Sequence, residues 1–152
     1  MIALYNKDEV VNEARSWLDT PYHDQASLKG VGCDCLGLVV GVWKALYGSA
    51  LPQKIPAYSR FWGEVKGDEL LLRAVKNYLV ERPLEAFEEP GNVVCFRMVP
   101  GADCKHLGIT GYSECFIHAY EGLGVTTQRM TPFWKRRIVA VGSFPAVLIK
   151  GR

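Results

Sequence analysis

Cys35, His106 and His118 are the residues of this 152-residue chain whose types and placement could do chemistry. Cys35 follows Asp34, a residue type that often caps helices, and begins an apolar stretch that ends before Gly48. Apolar side chains recur in that stretch with the helical repeat, which predicts Cys35 at the N-terminus of a buried helix. Backbone amides and the helix dipole there favour a negative charge, so we expect the thiol to ionise more easily than in solution. The alternative is a small buried hydrophobe, as many isolated cysteines are.

The two histidines lie in the second half of the chain, on predicted neighbouring strands. If those strands pair across a tight turn at Tyr112, two residues face each other when their residue numbers add up to 224. His106 then lies beside His118. Taken singly, each histidine could be a hydrogen-bonded structural residue. Together with Cys35 they could supply a nucleophile, a base and a group that orients the base, which is a set suited to acyl transfer. The Cys35 amide and the Tyr22 hydroxyl are candidate donors for the oxyanion.

The elements that position these residues fall into a helical half and a strand half. Helical periodicity predicts helices over 8–18, over 34–48, and from a cap at Asp68 to a stop before Pro83. An irregular stretch over 52–62 is predicted as a surface excursion near the site. Strands are predicted over 92–98, 106–112, 114–120, 125–130 and 137–144, joined by short loops that suit antiparallel neighbours. Helices followed by a meander predict an α+β fold, in one domain over 1–152.

Composition and charge exclude several classes of protein. The chain is 49% hydrophobic and 22% charged, which is typical of a globular protein. A net charge of +2 and one short basic cluster, Lys135 to Arg137, argue against nucleic acid as a partner. No apolar run is long enough for a membrane span, and residues 1–6 show no secretory signal, so we expect synthesis in the cytoplasm. Five cysteines, an odd number, favour reduced thiols.

Five motifs in order and spacing resemble the NlpC-type cell-wall peptidases over nearly the whole chain. They are Thr20-Pro21-Tyr22 with the glycine loop after it, Asp34-Cys35-Leu36-Gly37-Leu38-Val39, Pro90-Gly91-Asn92-Val93-Val94, His106-Leu107-Gly108-Ile109 and Ile117-His118-Ala119. The flanking segments 26–32 and 43–48, and the tail through 144–145, resemble the branch that phages and gene transfer agents carry in association with the tail.

This resemblance implies a papain-like α+β fold, with N-terminal helices packed on a five-stranded antiparallel sheet. It implies hydrolysis of peptide bonds in the peptidoglycan stem, typically between γ-D-glutamate and diaminopimelate, with no cofactor and no metal. By match to the motifs, Cys35 would be the nucleophile, His106 the general base, His118 the orienting residue, and Tyr22 a residue near the oxyanion. Asp34 and His23 complete the predicted site as oxyanion or substrate-binding residues. Stem peptides and phage-like tail proteins are the implied partners, and the protein would reach the cell wall on a phage-like particle or after lysis.

Three positions depart from the family pattern. Leu36 stands where a small serine usually follows the nucleophile, and it either narrows the pocket or only repacks it. Asn92 replaces the usual aspartate of a turn, and little functional loss is expected because asparagine also serves turns. Cys33, two residues before Cys35, could form a reversible disulfide that silences the nucleophile.

Other interpretations compete with the peptidase. Cys33, Cys35, Cys104 and His106 could form a zinc site, although their spacing argues against it and leaves His118 without a role. The protein could instead be a catalytically silent adaptor of a phage-like tail. Cys95 and Cys115 are expected to be packing residues, and Cys104 a loop thiol of unknown purpose. Three charged residues could meet substrate carboxylates, and the sequence does not rank them: Asp24, Arg60 and Arg97.

Overall fold

A computed structural model of the protein describes residues 5–48 and 69–145. The predicted helix cap Asp68, the irregular stretch over 52–62 and Arg60 lie outside the described residues.

The helices of the first half form where the periodicity predicts them. Helix α1 is Lys7–Arg15 and begins at Asn6, whose side chain accepts a hydrogen bond from the Glu9 amide. Helix α2 is Cys35–Tyr47, and it ends at Gly48 in the left-handed conformation that glycine favours. Helix α3, Leu70–Tyr78, is shorter than predicted because the chain turns into a strand before Pro83. No described helix has both the length and the apolar character needed to cross a membrane.

The second half forms a six-stranded antiparallel sheet rather than the five-stranded one predicted. All five predicted strands are present, and the extra strand, β3, adds to one edge. A short hairpin of two strands precedes α2. In chain order the strands are β1 Ser27–Leu28, β2 Gly32–Cys33, β3 Val80–Arg82, β4 Asn92–Phe96, β5 His106–Thr110, β6 Cys115–Tyr120, β7 Gly124–Arg129 and β8 Ile138–Ser143.

The last strand does not continue the meander, so that part of the prediction is wrong. The order of strands is β3-β8-β4-β5-β6-β7, and β8 therefore pairs with β4 and β3 instead of β7. A short helix, α4 (Pro132–Lys135), lies between β7 and β8 along the chain. Strand β8 is mostly buried, with Ala140 and Val141 pointing to opposite faces, and such a strand suits the interior of a sheet better than its edge.

Alternation along the strands separates two apolar layers on the two faces of the sheet. One layer packs under the helices and includes Leu38, Val42 and Ile109. The other is an aromatic layer with Phe96, Phe116 and Trp134, and α4 lies on it. The catalytic candidates come from both sides, because Cys35 belongs to the helical layer while the histidines pack against rings of the aromatic layer.

Candidate active site

Asp34 fixes the start of α2. One carboxylate oxygen accepts a hydrogen bond from the Gly37 amide at 2.7 Å, and the other accepts from the Gln25 amide at 2.8 Å. The side chain is almost fully buried. Asp34 therefore caps the helix and holds the preceding loop against it. The predicted part of Asp34 in substrate or oxyanion binding stays a prediction.

Gly37 lets the loop approach α2 closely. A methyl group on Gly37 would lie 1.8 Å from the Ala26 carbonyl oxygen, which is backbone and cannot swing away. The Ser27 hydroxyl donates to the Gly37 carbonyl at 2.6 Å from the same loop. Only glycine fits this contact, which brings the loop that follows Tyr22 up to the first turn of α2.

Cys35 lies at the meeting point of α2 and β5. Its thiol donates to the carbonyl of Lys105 at 3.6 Å, and Lys105 immediately precedes His106. Only 8% of Cys35 is exposed. Burial raises the pKa of the Cys35 thiol to about 12, and the Asp34 carboxylate adds to the rise, while the amides of Leu107 and Leu36 lower it by less. The prediction of a readily ionised thiol is therefore wrong, because desolvation outweighs the helix N-terminus.

The two histidines meet, but not in the predicted register. Thr110 pairs with Phe116, so the residue numbers of each facing pair add up to 226 and not to the predicted 224. The connecting turn is wider than a tight turn at Tyr112, with Ser113 and Glu114 both in the left-handed conformation. A shift of two residues keeps both side chains on one face of the sheet. As a result, Nε2 of His106 lies 2.6 Å from Nδ1 of His118.

Burial keeps both imidazoles neutral. His118 is 0% exposed and His106 is 7% exposed. Burial lowers the pKa of His118 to about 4, and burial together with the neighbouring His118 and Lys105 lowers the pKa of His106 well below 6.5. At pH 7 the imidazole of His106 and the thiol of Cys35 are therefore both neutral, and a neutral imidazole can accept a proton.

Aromatic rings of the second layer enclose the histidine pair. Trp134 lies within 5.8 Å of His106 and 5.4 Å of His118, measured between ring centroids. Phe116 and Tyr120 also pack against His118. Trp134 is not among the site residues that the sequence predicts. Pro132 could have signalled the short helix that carries Trp134, but not its contact with residues from β5 and β6.

Tyr22 and His23 lie on the loop that leads to α2. A backbone bridge joins Tyr22 to Cys33, and the His23 amide donates to the Cys33 carbonyl at 3.1 Å. Burial raises the pKa of Tyr22 above its usual 10, and the charge of an ionised Cys35 would raise it further. The phenol therefore stays protonated, and it donates a hydrogen bond to the Asp24 carboxylate. His23 is exposed, as expected, and with Tyr22 it lines a cleft of about 360 Å³ that also includes Asp24, Glu121 and Gly122.

The departures from the family pattern have structural explanations. Leu36 is buried and lines a small apolar cavity between α2 and α3, so this position repacks the core. Asn92 is also buried, and its side-chain amide donates to the Ala86 carbonyl at 2.9 Å, a bond that a carboxylate cannot make.

Arg97 pairs with Glu69 at 3.1 Å, so its predicted meeting with a substrate carboxylate competes with this ion pair.

The five cysteines are free thiols. Within residues 5–48 and 69–145, no three His, Cys, Asp or Glu side chains converge in a way that could hold a metal ion, which counts against the zinc alternative. Cys95 and Cys104 are buried and hydrogen-bonded to each other, whereas Cys115 is partly exposed. Cys33 is fully buried, and burial raises its pKa to about 12.

Comparison with known proteins finds the fold of this chain in NlpC/P60 proteins. No protein-family model matches the chain. The probable endopeptidase NlpC of Escherichia coli K12 is 25% identical to it over 126 residues, which cover 82% of this chain and 70% of the relative. An NlpC/P60 family protein from Bacillus cereus matches 94% of the chain with a TM-score of 0.67 at 18% identity, and the chain spans 41% of that protein. The NlpC/p60 domain of the peptidoglycan hydrolase SagA matches 92% of the chain, over its own full length, with a TM-score of 0.62 at 19% identity. The fold is therefore the papain-like α+β fold of NlpC/P60 proteins.

Proposed function

We propose that the protein is a cysteine peptidase that hydrolyses peptide bonds in peptidoglycan. The observation that carries the proposal is a pair of buried, hydrogen-bonded imidazoles together with a buried thiol at a helix N-terminus, whose sulfur bonds to the carbonyl of the residue before His106. The sequence relative is named a probable endopeptidase, and one structural relative is the domain of a peptidoglycan hydrolase. These names support the substrate class for this chain.

The reaction divides into two acyl transfers. Cys35 sulfur attacks the scissile carbonyl carbon while its proton passes to His106, and the carbonyl oxygen becomes an oxyanion. The Cys35 amide and the Tyr22 hydroxyl are the proposed donors to that oxyanion. The carbon–nitrogen bond then breaks, His106 returns the proton to the leaving amine, and a thioester remains on Cys35. Water, deprotonated by His106, attacks the thioester and releases the acid and the thiol.

The neutral resting pair shapes the first step. Because the pKa of Cys35 is raised and that of His106 is lowered, a standing thiolate–imidazolium pair is disfavoured in this site. Proton transfer therefore accompanies the attack. His118 stabilises the imidazolium that forms and keeps the His106 ring in place, which is the orienting role in a triad.

Digestion of purified muropeptides tests the proposal. The wild-type protein should release products that gain one water, identified by mass spectrometry, and Cys35→Ala should lower kcat by about 10⁴-fold or more. Cys115→Ala is the matched control, since the Cys115 thiol bonds only to the Ser113 carbonyl of its own turn in the described residues. Equal and negligible cleavage by the wild type and by Cys35→Ala would instead favour the silent adaptor.

The finer assignments belong to the same proposal. The bond between γ-D-glutamate and diaminopimelate is the expected target, and a phage-like particle or cell lysis is the expected route to the wall; both rest on the motif resemblance. Product masses identify the bond. Mass spectrometry of purified particles tests the route, and a protein found outside intact, particle-free cells would contradict it.

A further inference from the structure

The Nε2 atom of His118 is a buried polar atom without a hydrogen-bond partner in the described part of the chain. The His118 residue is 0% exposed. Its other ring nitrogen, Nδ1, lies 2.6 Å from Nε2 of His106. A buried polar atom that bonds to nothing is costly, so this one calls for an explanation.

The short bond between the rings can hold its proton in two ways. If His118 donates from Nδ1, then its Nε2 is a bare lone pair, and neutral His106 must carry its own proton on Nδ1. If His106 donates from Nε2, then neutral His118 carries its proton on Nε2, and Nδ1 of His106 keeps a lone pair. Only the second arrangement leaves His106 a nitrogen that can take the Cys35 proton.

The surroundings of His118 favour the second arrangement. The Phe116 ring lies 4.6 Å away at 61°, and the Trp134 ring lies 5.4 Å away at 89°, both in edge-to-face geometry. The faces of aromatic rings carry negative charge density, so they attract an N–H and repel a lone pair. If the Nε2 edge of His118 meets these ring faces, a protonated Nε2 loses less in this enclosure than an unprotonated one.

Trp134 is the ring best placed for this function. It packs against both histidines and comes from α4, outside the strands that carry them. Phe116 also fills the space over Gly108, where a methyl group would lie 2.7 Å from its ring, so it has a separate packing role. Trp134 also packs on the Phe96 and Phe116 rings, at centroid distances of 5.1 and 5.2 Å.

We propose that Trp134 is a positioning residue that holds the proton of His118 on Nε2, so that Nδ1 of His118 accepts from His106 and Nδ1 of His106 stays open for the Cys35 proton. The catalytic consequence rests on the proposed peptidase function. The proton arrangement itself does not, and it can be measured without any substrate.

Long-range ¹H–¹⁵N NMR of uniformly ¹⁵N-labelled wild-type protein at pH 7 measures the arrangement directly. We expect His118 protonated on Nε2 with an unprotonated Nδ1, and His106 protonated on Nε2. A proton on Nδ1 of His118 would overturn the proposal, even if the protein cleaves muropeptides. The expected NMR result without any cleavage would leave the proton arrangement supported and count against the proposed function.

Variants then assign the effect to Trp134. Trp134→Leu should populate the other His118 tautomer and lower kcat by roughly tenfold or more with little change in KM, since general base catalysis is impaired. Trp134→Phe keeps a ring face and should retain the wild-type tautomer and most of kcat. Tyr112→Leu is the matched control, because Tyr112 is 44% exposed and lies in the turn between β5 and β6. An unchanged tautomer in Trp134→Leu, or equal losses in Trp134→Leu and Trp134→Phe, would contradict the role of Trp134; the wild-type spectrum still decides the arrangement if Trp134→Leu does not fold.

Discussion

Cys35 and His106 illustrate how burial can reverse what position on an element suggests. The first turn of α2 favours a thiolate, yet Cys35 is buried beside the Asp34 carboxylate, and its pKa rises to about 12. Burial lowers the pKa of His106 at the same time. The proton therefore rests on the Cys35 sulfur. In the proposed reaction, the hydrogen bond to His118 would compensate for the lowered basicity of His106.

The pH profile of kcat/KM distinguishes a neutral pair from an ion pair. With a His106 pKa well below 6.5, kcat/KM should stay level as the pH falls to 6.5 and decline only below it, because the base is neutral until then. With a Cys35 pKa of about 12, kcat/KM should also stay level on the alkaline side to about pH 9 or beyond. Steady-state assays on a stem peptide give this profile.

An alkaline decline centred near pH 8 would contradict the neutral pair, since a pre-formed imidazolium would then be losing its proton. Labelling of Cys35 with iodoacetamide gives an independent measurement. Its rate should still be rising above about pH 10.5, where a free thiol is already almost fully ionised.

At the scale of elements, the tight approach between α2 and its preceding loop positions the nucleophile. Gly37→Ala would put a methyl group 1.8 Å from the Ala26 carbonyl oxygen, so either the loop or the first turn of α2 must move. We expect a loss of about 2 kcal/mol or more in the free energy of unfolding and a fall in kcat/KM larger than the folded fraction explains. Denaturant unfolding and peptide cleavage measure the two effects.

Gly48→Asn is the control for this prediction. Gly48 ends the same helix with a φ of +72° and has open space around it, and asparagine tolerates the left-handed conformation. Its stability and kcat/KM should stay close to wild type. Equal effects of the two substitutions would show that α2 is merely sensitive to glycine replacement, and not that the contact at Gly37 positions Cys35.

The elements were predictable from sequence to the extent that their signals are local. Helix α2 has an aspartate cap, a helical repeat and a terminal glycine within 15 residues, and the structure confirms both ends. The place of β8 beside β4 was not predictable in this way. The short connection from β7 to β8 favours pairing of these two strands at the edge of the sheet, but β8 is mostly buried and lies between β3 and β4. The register of β5 and β6 was predicted two residues off because the turn, with Ser113 and Glu114 in left-handed conformations, is wider than the sequence indicated.

At the scale of the whole molecule, the neutral histidines make the fold sensitive to acid. The unfolded chain binds a proton at His118 below pH 6.5, whereas the folded protein does so only near pH 4. The contribution of His118 to the free energy of unfolding is therefore complete above pH 6.5. It falls by on the order of 3 kcal/mol as the pH drops from 6.5 to 4. Urea unfolding across that range measures the loss.

His118→Asn provides the comparison, because the amide does not titrate. As the pH falls from 6.5 to 4, the free energy of unfolding of the wild type should decrease more than that of His118→Asn. Carboxylates titrate in both proteins and cancel. Parallel curves would contradict a buried, neutral His118.

The site was predictable from sequence where motifs mark it, and not where distant segments enclose it. His106 and His118 come together, and the Cys35 sulfur bonds to the carbonyl of Lys105, the residue before His106. The catalytic triad of the three side chains stays a prediction. Trp134 reaches the same place from a helix after β7, through contacts that exist only once the sheet has formed. Nothing in the local sequence around Trp134, which precedes the basic cluster, indicates that its ring packs against the two histidines.

Detection of an acyl-enzyme tests the proposed chemistry most directly. Wild-type protein mixed with a stem peptide and quenched in acid within the first turnovers should carry the acyl fragment as a mass increase, and tandem mass spectrometry should locate it on Cys35. Cys35→Ala should carry no fragment and release no product, while Cys115→Ala should behave as wild type. Cleavage that proceeds in Cys35→Ala, or a fragment attached at another residue, would contradict Cys35 as the nucleophile.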